Sequence, residues 1–293
     1  MLESLLPLSV IDLTAIAVKA AGYLAFLLAA GSALVLMVLA GLPGAEVRFL
    51  RRLVPAMALL AAVLAAARLG VEVVILAGDD WGAILDFELM MLILQGPTGL
   101  ALGVQGLGLL LLMGVMLPGM IGLIAGFLGA LAVATGFGLT GHTATVDGWW
   151  LNALIIVHLL GLSFWVGIFI PLYRVASYDL GHAGQVAAAF GRIAIWVVPI
   201  LVAAGVLTFQ QLTGGVGPAI KTSYGQLFAI KIALFSGVLL LAAINKLSLT
   251  PALARGERLA PAKMRRSLML ESLLIVAILL ATASFTTLTG PQG

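Results

Sequence analysis

The chain has 293 residues, of which 62% are hydrophobic and only 9% charged, with a mean hydropathy of +1.21. So little polar surface excludes a soluble globule of this length and makes lipid the solvent. A net charge of +3 and a pI near 9.4 would point a soluble protein toward anionic partners, but the basic residues cluster in particular loops, which reports membrane orientation and not nucleic acid. Cysteine is absent, so disulfides and thiolate chemistry are excluded, and a soft metal would have to use His or Met.

In chain order, the opening MLESLLPLSVIDLTAIAV carries Glu3 and Asp12 but no basic n-region or small-residue cleavage site, so no removable signal peptide is expected. Apolar runs of about 20 residues predict spans near 14–40, 53–77, 98–117, 119–140, 150–173, 190–212, 224–248 and 266–288. Pro118 and Gly119 break an apolar stretch too long for one span and mark a tight hairpin. Small residues at four-residue spacing, Gly99 with Gly103 and Gly122 with Gly126, are the expected sites of close helix packing. The acidic stretch 79–99 is too long for a turn and too polar for a span, so it reads as an interfacial amphipathic segment and a candidate lid.

The expected fold is therefore all-α, a polytopic membrane bundle of about eight transmembrane helices. It forms a single membrane domain over 1–293. Three N-terminal helices occupy 1–118, with an acidic segment at 79–97, and a five-helix part occupies 119–293. Arg48, Arg51, Arg52, Arg174, Arg192, Lys246, Arg255, Arg258, Lys263, Arg265 and Arg266 place eleven of the fifteen basic residues between alternate spans. The opposite connections hold Asp79, Asp80, Asp86, Glu88 and Asp147, with Lys221 as their clear basic member. Basic connections stay in the cytoplasm, so both termini are expected on the periplasmic side.

Polar residues at membrane depth are costly and usually have a partner or a task. Arg68 and Glu72 are spaced i, i+4 and read as an internal ion pair. Asn245 and Glu271 lie at similar depth near the cytoplasmic side and are positioned to bond between the last two spans. Lys231 has no acidic neighbour on its own helix. His158 is the most informative residue, because imidazole is both a common metal ligand and easily titrated. Gly161 and Trp165 share its face, and the glycine would leave room for an ion or another helix. His142 precedes a loop short enough for the two rings to converge, whereas His182 lies in a cytoplasmic loop. Met90 and Met91, on the candidate lid, offer thioethers of the kind that select Cu(I), although packing is their commoner role.

The run GHTATVDGWWLNALIIVHLLGLSFWVGIFIPLYRVA resembles the copper-resistance D family (CopD, PcoD). So does YGQLFAIKIALFSGVLLLAAINKLSLTPAL, together with Glu271 and the ending TLTGPQG. The resemblance covers roughly 119–293, and the first three helices mainly by topology and the PTG step at 97–99. Gln105 stands where a basic residue is expected, and the outer loops hold few Met and His.

What the resemblance implies is a multi-pass copper-homeostasis protein of the bacterial inner membrane, with copper ion, Cu(I) or Cu(II), as its metal. It further implies a small periplasmic copper-binding partner of the CopC type, His142 and His158 as copper ligands, Lys231 as a polar element beside them, and Asn245 with Glu271 as a cytoplasmic-side pair. The expected activity is copper binding at a periplasm-facing His site followed by transfer or import, not enzymatic catalysis. No G-x-x-x-x-G-K-[ST] run and no Asp-Lys-Thr-Gly phosphorylation sequence supports ATP-driven chemistry. Two rivals stay open: a b-type haem electron carrier, since two His residues can hold a haem iron, and a non-transporting assembly protein for a copper enzyme.

Overall fold

Ser9 accepts a hydrogen bond from the Asp12 N–H and donates its own N–H to the Asp12 carboxylate, a reciprocal cap that launches the first helix. In a computed structural model describing residues 8–139, 149–213 and 223–288, with side chains over 8–139, 149–211 and 229–288, this helix is α1, Val10–Val38. It is followed by α2 (Gly44–Leu76), α3 (Phe87–Leu94), α4 (Pro97–Met113) and α5 (Gly119–Gly138). Next come α6 (Trp149–Gly167), α7 (Phe169–Tyr178), α8 (Leu180–Thr213) and α9 (Ser223–Ile244). The chain ends in α10 (Thr250–Ala254) and α11 (Ala260–Leu288).

Among the described residues eight helical stretches are long and apolar enough to cross a membrane, and the fold is an all-α polytopic bundle. α6 with α7 forms one such stretch, and α9 with α10 forms another. Successive spans alternate in direction, which defines a Ser9 end, shared by the start of α1 and the finish of α11, and a Glu46 end, shared by the start of α2 and by α7.

Arg255 and Arg258 lie in the connection between α10 and α11, but most of the other basic residues do not lie in loops. Arg48, Arg51 and Arg52 lie in the opening turns of α2, Arg174 and Arg192 lie in α7 and α8 with Asp179 alone between those helices, and Lys263, Arg265 and Arg266 lie in α11. Long basic side chains can carry their charge to water from a helix end, so charge ends the apolar run without ending the helix. The same holds for His182, which sits in the first turn of α8.

The tight crossings extend beyond the four-residue glycine pairs, of which Gly126 of α5 would put a Cβ 2.6 Å from Val115 and 3.3 Å from Ala33 of α1. A Cβ on Gly31 of α1 would fall 1.9 Å from the Ser163 carbonyl oxygen of α6, and one on Gly167 would fall 2.3 Å from the Gly31 carbonyl carbon. Likewise a Cβ on Gly108 of α4 would lie 2.7 Å from the Val133 nitrogen of α5. Gly103, by contrast, has nothing within 4 Å. Close backbone contact, the attractive force available between helices in lipid, is thus concentrated where two spans cross.

α1 packs on α2, α5, α6 and α11 and forms the centre of the bundle. A large core around Leu27, Val35, Phe164, Ile168 and Met264 joins α1 to the C-terminal helices. The stretch 245–249 is a π-helical turn, followed by Pro251 at the start of α10. Proline has no N–H for the carbonyl four residues back, so the ladder slips, and the Thr250 hydroxyl donates to the Asn245 carbonyl at 2.8 Å.

Candidate functional site

α6 carries His158 nine residues from Trp149, about 13 Å along the helix axis. The ring is half-buried, and its Nδ1 lies 2.9 Å from the Leu201 carbonyl oxygen of α8. A carbonyl only accepts, so Nδ1 holds the proton and Nε2 keeps its lone pair. That arrangement, one ring nitrogen fixed by a backbone carbonyl and the other available, is how protein imidazoles are oriented toward metals. Gly205, one turn beyond Leu201, makes room for it: a Cβ there would lie 3.1 Å from Cε1 and 3.3 Å from Nδ1. Gly161 does not open a vacancy. A Cβ on it would meet the Leu201 and Val197 side chains at 3.4 Å, so this glycine seats α8 against α6.

Lys231 on α9 places its Nζ 5.7 Å from the Phe285 ring centroid of α11, and its charge reaches His158. His142 lies outside the described residues. His182 is at the opposite end of the bundle, where its backbone N–H and Nδ1 meet the Asp179 carboxylate at 3.0 and 2.7 Å. The His182 backbone N–H, more than its ring, holds Asp179 below the usual carboxylate range.

The acidic segment uses its carboxylates locally. Asp80 accepts from the Gly82 N–H, and Asp86 accepts from the Glu88 and Leu89 N–H groups, capping α3. α3 rests on α2 and α4, whereas α6 packs on α1, α5 and α8, so Met90 and Met91 are held by a different set of helices from His158. Among the described residues no three His, Cys, Asp or Glu side chains converge into a metal-holding group.

Several other polar residues are partnered, within one helix or across two. The Arg68 Nε donates to Glu72 at 2.8 Å within α2. Glu271 of α11, 1% exposed, accepts from the Asn245 amide, and the Trp165 side chain reaches the same carboxyl group. The Lys246 ammonium donates to the Gly191 carbonyl at 2.6 Å. Lys19 donates to the Thr286 carbonyl at 3.0 Å, tying α1 to α11.

The long-range ion pair found among the described residues was not visible in the sequence. Glu46, fully buried, accepts from the Arg174 Nε at 2.9 Å and from the Tyr178 hydroxyl at 2.9 Å, while Arg174 stacks 4.0 Å over Phe49. An acid in the first turn of a helix already suits the helix dipole, so nothing local pointed to a partner 128 residues away.

Eight apolar spans enclosing a few partnered polar side chains, with one imidazole oriented by a backbone carbonyl, define a multi-pass membrane protein. The chain belongs to the copper-resistance D family: residues 184–285 match the profile described as Copper resistance protein D, and residues 10–153 match that of the Copper resistance protein D-like, N-terminal domain. The second match reaches directly into the first helices, where the sequence resemblance rested mainly on topology.

The chain is also similar to the Copper transport protein CutJ of Bacillus subtilis (strain 168), 30% identical over 161 residues, 52% of this chain and 28% of that relative. It therefore spans well under a third of that relative's length. No solved structure matches. The protein is thus a copper-related, multi-pass membrane protein, and the inner membrane is the location consistent with its family.

Proposed function

We propose that the chain binds copper as cargo through the Nε2 atom of His158 and passes it across the inner membrane. The observation that supports this most is the Nδ1 hydrogen bond to Leu201, which leaves the other nitrogen as a ligand of fixed direction. His142 is the proposed second ligand, and Met90 and Met91 are proposed as soft contacts on the approach. In this reading both termini face the periplasm, and the carboxylates of 79–97 raise the local cation concentration at the entrance. A small periplasmic copper-binding protein of the CopC type delivers the ion.

The Lys231 ammonium opposes a bound cation, which suits a site that must release its cargo and does not store it. Asn245 and Glu271 are the proposed polar pair toward the cytoplasmic side.

The test is copper content and visible absorption of the purified protein after loading with Cu(I) or Cu(II), beside His142→Ala and His158→Ala. Copper is expected to be lost in both variants. Unchanged stoichiometry in His158→Ala would sink the proposal, no copper in the wild type would favour an assembly role, and a Soret band would favour a haem electron carrier.

A further inference from the structure

A second polar constellation lies at the Ser9 end of the first helices, separate from His158. A shallow groove between α2 and α4 is lined by Arg68 and Glu72 on one side and Thr98 and Gln105 on the other. A second is also lined by Arg68 and Gln105 and continues to Lys19 and Tyr23 of α1. The shared residues make them one open groove.

Its polar groups are only partly spent, Lys19 donating to the Thr286 carbonyl at 3.0 Å and the Thr287 hydroxyl at 3.5 Å. Gln105 is 4% exposed and lines both parts, yet its amide bonds to no other described residue. A buried amide without a protein partner is expensive and calls for a ligand or water. Arg68, which lines the groove, commits its Nε to Glu72 and so keeps its terminal N–H donors for another partner. α4 starts beside them with Gly96 as its cap and no side-chain cap, although Pro97 has no N–H and the Gly99 N–H bonds the Gly96 carbonyl at 3.1 Å. Two cations, Lys19 and Arg68, stand against the single carboxylate of Glu72, and the balance is one positive charge.

Donors in excess and a net charge of +1 describe an oxyanion site. A cation is disfavoured there by both Lys19 and Arg68. Phosphate chemistry has two sources, a lipid headgroup and free phosphate. The lining chooses between them. Ala65, Leu69 and Leu102 line the same groove and offer apolar surface to an acyl chain.

We propose that the groove between α2 and α4 binds the phosphate of an anionic phospholipid headgroup through Arg68, Lys19 and Gln105. The headgroup lies over the open groove and neutralises the excess charge.

The test uses the full chain in detergent micelles, with phosphatidylglycerol, phosphatidylcholine or inorganic phosphate added, and reads both thermal stabilisation and lipid retained by native mass spectrometry. The variants are Arg68→Gln with Glu72→Gln, which removes the charge pair without orphaning a carboxylate, and Gln105→Leu, which removes the amide and leaves all charges in place. Phosphatidylglycerol is expected to stabilise the wild type and to bind at least tenfold more weakly to each variant, while the other two additives do nothing. Equal phosphatidylglycerol binding by wild type and variants overturns the site. Equal stabilisation by inorganic phosphate overturns the lipid as the source. Should the double variant fail to fold, Gln105→Leu decides alone. Copper content is measured on the same samples and is expected to be unchanged, so this inference and the copper reading fail separately.

Discussion

Replacing Gly205 with Ala sets two effects against each other. Alanine in a helix interior is favoured over glycine by about 1 kcal/mol. The new methyl, however, would sit 3.1 Å from the His158 Cε1 and 3.3 Å from its Nδ1, inside ordinary contact distance, so the ring must tilt away from Leu201. The Nδ1 hydrogen bond it weakens, 2.9 Å long, has a net worth of about 1 kcal/mol. Global stability is therefore expected to change by less than about 1 kcal/mol in either direction. Copper affinity has no such compensation, because the direction of Nε2 depends on that bond. Losing an orienting partner of this kind costs about 10- to 100-fold in metal affinity, or about 1.4 to 2.7 kcal/mol. A competition titration against a chromophoric copper chelator, run beside thermal melts, reads both quantities. Unchanged copper affinity with an unchanged melt would refute the idea that Leu201 aims the imidazole.

Three further outcomes are expected. Gly31→Ala, whose Cβ would lie 1.9 Å from the Ser163 carbonyl oxygen, should cost at least the 1 to 3 kcal/mol typical of overpacking, while Gly103→Ala should be neutral or stabilising by up to about 1 kcal/mol; melting in one detergent compares them. Glu46→Ala should destabilise by about 2 kcal/mol, less than the 3 to 5 of a fully buried pair because Arg174 is 41% exposed and can turn to water. Adding Arg174→Ala should cost little more, and a double-mutant cycle measures the difference. Asp179 titrates below the usual carboxylate range, so its contribution is present above the unfolded carboxylate value and is lost as pH falls through the lowered folded one. Asp179→Asn should flatten the acid limb of a melting-versus-pH curve.

The spans were legible because a hydrophobic run long enough to cross a bilayer seldom occurs in a chain that stays in water. The Pro118–Gly119 hairpin was legible too, and Gly119 there adopts φ +70, a conformation few other residues accept. The start of α2 was not, since Arg48, Arg51 and Arg52 end the apolar run but not the helix. Local pairs such as Arg68 with Glu72 follow from helical period, whereas Glu46 with Arg174 depends on how α2 and α7 meet. Among 35 glycines, spacing alone did not single out Gly31, Gly108 or Gly205, because their meaning lies in the backbone or ring opposite each one.

The crossing of α1 and α6 bears on the order of assembly. Gly31 reaches the ribosome exit about 130 residues before Ser163, the backbone that will fill its groove, which at 5–20 residues per second is a wait of roughly 7 to 26 s. For that interval the first helix sits in the bilayer with the notch at Gly31 open and the Ser32 hydroxyl, which is wholly buried in the finished bundle, not yet enclosed by the later helices. A chaperone or the insertion machinery that shields a small-residue face would find its client in that half-made state and lose it when α6 arrives.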